Sequence, residues 1–92
     1  MKTIELLDKK YELIRNDNDC FKLDEVKEKV TDYFEEYDYI FGDYAYDKVR
    51  LKGYYDSNNK NVNEINDIRN LDDYILNYCS YGAKTFLLKK IK

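Results

Sequence analysis

Arg50, Lys52 and Tyr54 alternate along a stretch with strand-like patterning, so they share one strand face. Two cations and a phenol on one face suit RNA: the cations pair with phosphates and the ring stacks a base. The run Lys52-Gly53-Tyr54-Tyr55 echoes the Lys-Gly-aromatic opening of an RNA-recognition-motif sheet. The charge balance opposes this reading. The 92 residues carry a net charge of −3, and phosphate neutralisation dominates nucleic-acid affinity. The plainer alternative is a half-exposed strand with Arg50 and Lys52 on its wet face. Asp43 and Tyr44 join these three as candidate binding residues because they follow Gly42, where backbone is open to approach. Asp43 and Arg50 could equally form a cross-strand ion pair.

A second chemistry is protein recognition. Asp24, Glu25, Glu28, Asp32, Glu35 and Glu36 gather on one predicted helix, apart from Lys84, Lys89, Lys90 and Lys92 at the other end of the chain. Eleven tyrosines supply contact area with a polar tip. The low Gly, Ala and Pro content fits AT-rich codon usage, which explains much of the Tyr, Lys and Asn without any binding role. An interaction or regulatory module asks least of these residues, with RNA or ribosome association as the alternative. Catalysis has little to stand on. There is no histidine, no phosphate loop, and no nucleophile with a base beside it. Asp38, Asp43, Asp47 and Asp56 could gather around Mg²⁺, yet no spacing demands it. Asn16-Asp17-Asn18-Asp19 lacks the glycine and distant glutamate of a calcium loop. Cys20 and Cys79 form no C-x-x-C pair and read as small buried hydrophobes. No cofactor or metal is implied. The absence of a signal-like N-terminus or a long apolar run points to a cytoplasmic chain without a membrane partner.

These residues need elements to position them. Residues 3–15 predict a hairpin turning at Asp8-Lys9-Lys10, and Leu23–Tyr37 a helix with Val26, Val30, Tyr33, Phe34 and Tyr37 as its apolar stripe. Tyr39–Tyr46 and Val49–Tyr55 predict a second hairpin about Asp47-Lys48. Val49, Leu51, Gly53 and Tyr55 face the core there, and Arg50, Lys52 and Tyr54 face solvent. Both sides of Tyr39–Tyr46 are apolar or aromatic, which places that strand centrally with cover on each face. Residues 56–69 predict a long loop pinned by Val62, Ile65 and Ile68. A helix capped by Asn70, with Leu71, Tyr74, Ile75, Tyr78 and Cys79 as its stripe, ends at Gly82. A strand over Lys84–Ile91 follows. The whole is a single α+β domain over 1–92 in the order ββαββαβ, a mostly antiparallel sheet with two helices packed on it. Setting aside the first strand leaves the ferredoxin-like order, and a strand at either end of the chain could pair with a partner.

The run YDYIFGDYAYDKVRLKGYY, followed by NLDDYILNYCSYG and TFLLKK, resembles the YutD-like family of small proteins from AT-rich Gram-positive bacteria. The resemblance implies a block similar to Y-D-Y-I-x-G-D-x6-R-L-K-G-[FY]. It falls here on Tyr37, Asp38, Tyr39, Ile40, Gly42, Asp43, Arg50, Leu51, Lys52, Gly53 and Tyr54. The family's later helix resembles Leu71-Asp72-Asp73-Tyr74 through Tyr78-Cys79. Where family members typically carry tryptophan after Gly-Asp, this chain has Tyr44, to which any stacking role would pass. The resemblance brings no activity with it.

Overall fold

The structure, a computed structural model, describes residues 2–45, 48–78 and 84–91. Its strands are β1 (Lys2–Leu6), β2 (Lys9–Asn16), β3 (Tyr39–Ala45), β4 (Lys48–Tyr54) and β5 (Lys84–Lys90), with helices α1 (Leu23–Lys29) and α2 (Leu71–Tyr78). The predicted α+β class and ββαββαβ order are found. The strands form one sheet in the order β1-β2-β5-β3-β4, with every neighbouring pair antiparallel.

The ferredoxin-like comparison holds only in part. Both strand–helix–strand units are split by an intervening strand, as in that fold, but β3 and β5 occupy the centre instead of β2 and β4. The helices also lie on opposite faces instead of one. The cause is the two central strands, which are apolar on both sides. Ile40, Phe86 and Leu88 face one way into a core closed by Val26 of α1 and by Phe34 and Tyr37. Phe41 and Leu87 face the other way, against Tyr54 and the α2 residues Leu71, Tyr74 and Ile75. A sheet with two apolar faces needs cover on each. Because β5 is central, the strand nearest the end of the chain is not open to a partner; β1 and β4 are the edges.

The first turn falls at Leu7-Asp8, not at Asp8-Lys9-Lys10. Both residues have positive φ, 54° and 59°, the signature of a two-residue primed turn. This turn pairs Ile4 with Tyr11 and Leu6 with Lys9, so Ile4, Leu6, Tyr11 and Leu13 all reach one core. A three-residue turn would send the Ile4 and Leu6 side chains to the face opposite Tyr11. Burial therefore overrides the strain of a leucine at positive φ.

The first helix is also shorter than its periodicity predicts. It stops at Lys29, where Val30 takes extended angles, and a 3-10 turn over Asp32–Glu36 follows. Val30-Thr31 is a β-branched pair that favours extended backbone. The break keeps Phe34 and Tyr37 in the core but leaves Tyr33 61% exposed. Cys20 is buried and free, while Cys79 and Gly82 lie outside the described residues. No helix among the described residues is long and apolar enough to cross a membrane.

Candidate functional site

Four of the five candidate residues share a sheet face, and the structure pairs them internally. Asp43 and Arg50 sit directly opposite each other on β3 and β4. Arg50 Nε donates to Asp43 Oδ1 at 3.3 Å, and its Nη2 donates to Oδ2. The cross-strand ion pair is thus the arrangement found, with Asp43 only 2% exposed. Lys52 Nζ lies 4.3 Å from the centre of the Tyr54 ring and 4.7 Å from that of Tyr74, and it donates to Ile65 O at 2.7 Å. Burial pushes the Lys52 ammonium below its ordinary range. Tyr54 corrects the sequence reading most. Instead of standing on a wet face it is fully buried, edge-on to Phe41 and Tyr74 beneath α2. A ring so covered has no free side on which to stack a base.

Tyr44 lies on the opposite face, beside Phe86. Burial first, and then the Glu25 carboxylate, pushes its hydroxyl up to about 12. The aspartates do not gather either. Asp43 belongs to Arg50, and Asp47 lies outside the described residues. The Asp38 carboxylate accepts from Asp56 N at 2.8 Å and Asn59 Nδ2 at 3.0 Å. Among the described residues no group of three or more acidic or cysteine side chains could hold a metal ion.

The feature that sequence reasoning missed is a groove along the free edge of β4. One wall is the 3-10 turn, with Tyr33, Phe34 and Tyr37; the other is loop residues 63–66; the floor is Leu51 and Gly53. Its volume is about 240 Å³. Ile65, expected to pin the loop, instead stands 76% exposed on the rim opposite Tyr33; Val62 and Ile68 do pack against the two cores. Tyr33 and Tyr37 share a hydroxyl–hydroxyl bond of 2.8 Å, and Tyr37 stacks on Tyr55 with ring centres 4.6 Å apart.

The loop wall is built from short polar side chains that bond nearby backbone. Asn58 N donates to Asp56, Asn61 N to Asn59, and Ile65 N to Asn63, the Asx-turn chemistry that such residues favour. Buried Asp67 closes it, accepting from Ser57 Oγ at 2.6 Å, Arg69 N at 3.0 Å and Arg69 Nη2 at 2.9 Å. Asp67, not Asn70, is the capping side chain here, because a 3-10 turn over Ile68–Asn70 precedes α2. The Arg69 and Ser57 hydrogen bonds hold the Asp67 carboxyl down at about 2. At Asp17 burial acts upward, but hydrogen bonds from the Thr85 hydroxyl and amide, with Arg15 alongside, win and lower it. Both carboxylates titrate below their unfolded value, so their contribution is complete above about pH 5 and is lost as pH falls toward 2. Urea midpoints should hold from pH 7 to pH 5 and then decline, and Asp67→Asn should flatten that acid limb.

Comparison with known proteins places this geometry. The family model described as "Putative antitoxin YutD-like" matches residues 5–89. This chain belongs to the YutD-like family. It is 39% identical over 82 residues to "Putative antitoxin YutD" of Bacillus subtilis (strain 168), covering 89% of this chain and 90% of that one. The solution NMR structure of protein yutD from B. subtilis superposes with a TM-score of 0.81 at 36% identity, over 100% of this chain and 84% of that one. The family resemblance read from the central block is therefore confirmed. In this YutD-like fold Gly53 has a visible task, since a Cβ there would run into the Tyr37 ring that walls the groove.

Proposed function

We propose that this YutD-like chain is a protein-interaction module that regulates a partner protein by occupying it, as a protein antitoxin does. The observation that carries the reading is the β4 groove with two large apolar side chains, Tyr33 and Ile65, exposed on facing rims. Apolar exposure around a concavity, rimmed by polar groups, is the usual mark of a protein-binding site. The family and the B. subtilis relative, each described as a "putative antitoxin", support the same direction. The RNA alternative loses its physical support, since Tyr54 is covered, Arg50 is bound to Asp43, and Lys52 is held between two rings and a loop carbonyl.

The test is capture of the tagged protein from native lysate, with and without nuclease, beside an Ile65→Glu variant. One stoichiometric protein should survive nuclease with the unmodified chain and be lost with Ile65→Glu, whose exposed position leaves the fold intact. Capture of RNA, or of the same protein equally by both chains, would overturn the assignment to this groove.

A further inference from the structure

The free edge of β4 has a definite hydrogen-bonding phase, which Tyr55 reveals. Tyr55 N donates to Asn66 O at 2.7 Å, and Ile68 N donates to Tyr55 O at 3.0 Å. Both bonds run outward, away from β3, as a one-residue parallel bridge to Asp67. Strand backbone alternates sides residue by residue. Gly53, Leu51 and Val49 therefore also direct N–H and C=O outward, while Tyr54, Lys52 and Arg50 face β3. No strand covers that outward ladder among the described residues; half-buried Leu51 and buried Gly53, which lies against the Tyr37 ring, form the groove floor.

We propose, building on the protein-binding reading, that a partner inserts an extended segment as a sixth strand against Leu51 and Gly53, with basic side chains on its groove side. The charges on the page select that chemistry. Asp32 and Glu36 are exposed on the turn that forms one wall, whereas Glu35 lies toward Tyr11 of β2 and Glu64 lines the cleft against Asp73 and Tyr74 of α2. Lys52 is the one cation lining the groove among the described residues, and its ammonium is turned to Ile65 O. An incoming Lys or Arg would lay its aliphatic stem over Leu51 and the open Tyr33 ring and bring its head to the Asp32 and Glu36 carboxylates. On the opposite face Lys48 and Arg50 are exposed, so the segment's alternate side chains are neutral or acidic. Main-chain bonds then supply affinity, and alternate side chains supply the choice of partner.

The probes are two synthetic octapeptides, one alternating Arg with Thr and one alternating Glu with Thr, titrated into the 15N-labelled protein. The Arg peptide should shift and protect the Leu51 and Gly53 amides, and the Glu peptide should bind at least tenfold more weakly. Leu51→Pro removes an outward donor, a backbone change that edge strands tolerate, along with a side chain that packs partly against the core, and should abolish binding. Asp32→Lys with Glu36→Lys, at exposed positions, provides a second variant and should remove the preference for the Arg peptide. Unmoved Leu51 and Gly53 amides at millimolar Arg peptide, or equal affinity for both peptides, would overturn the proposal. A captured partner lost with Ile65→Glu yet held fully by folded Leu51→Pro would leave the groove reading standing and remove strand addition.

Discussion

Replacing Gly42 with alanine should lower the melting temperature by roughly 12–24 °C, from a loss of about 3 kcal/mol. Gly42 lies on β3, an interior strand of the sheet, opposite Leu51 on one neighbour and Phe86 on the other. A Cβ at this position would land on the far end of the Phe86 ring. That ring is fully buried and edge-packed against Phe21 at 5.1 Å, so it has no vacant space into which to swing. Overpacking of this kind forces off-rotamer side chains or a backbone shift. The interpretation is tested by a double-mutant cycle. Gly42→Ala with Phe86→Leu should be less damaging than the sum of the two single changes, because the leucine leaves room that the new methyl fills. Additive losses measured by thermal denaturation would mean the glycine serves some other purpose.

Arg50→Glu should cost about 2–3 kcal/mol in urea denaturation, with Arg50→Met costing less. The glutamate would place a second carboxylate opposite Asp43, which is almost wholly inside the protein and has Thr85 as its other cross-strand neighbour. Arg50 itself is about half exposed, at 53% for its side chain, so solvent screening holds the effect below that of a fully enclosed pair. Adding Asp43→Asn to Arg50→Glu should recover part of the loss. A different role for the arginine would show itself clearly. A nucleic-acid contact would leave the urea midpoint in place and remove a salt-sensitive complex instead.

Residue pattern made much of this molecule legible. Alternation in Val49, Leu51, Gly53 and Tyr55 located a core face correctly, and apolar character on both sides of β3 placed that strand at the centre. The facing of Asp43 and Arg50 was open to an ion pair from spacing alone. The unread parts depended on contacts distant in sequence. Whether Tyr54 is wet or dry is decided by α2, which returns over its face some twenty residues later. Whether Tyr33 continues a helical stripe is decided by the extended angles at Val30. The groove has no local signature, because its walls come from the 3-10 turn and from a loop whose Asn and Asp side chains read only as polar. Phasing of the outward backbone ladder likewise required the Tyr55 bonds.

The central position of β5 bears on how this protein comes off the ribosome. The β1–β2 and β3–β4 hairpins emerge first, yet they have no strand contact with one another in the finished sheet. Each must wait with an unsatisfied edge and an uncovered apolar surface until residues 84–90 arrive to join them. Sheet closure is therefore long-range and late, the regime in which folding is slow and unpaired edges of the nascent chain are prone to aggregate.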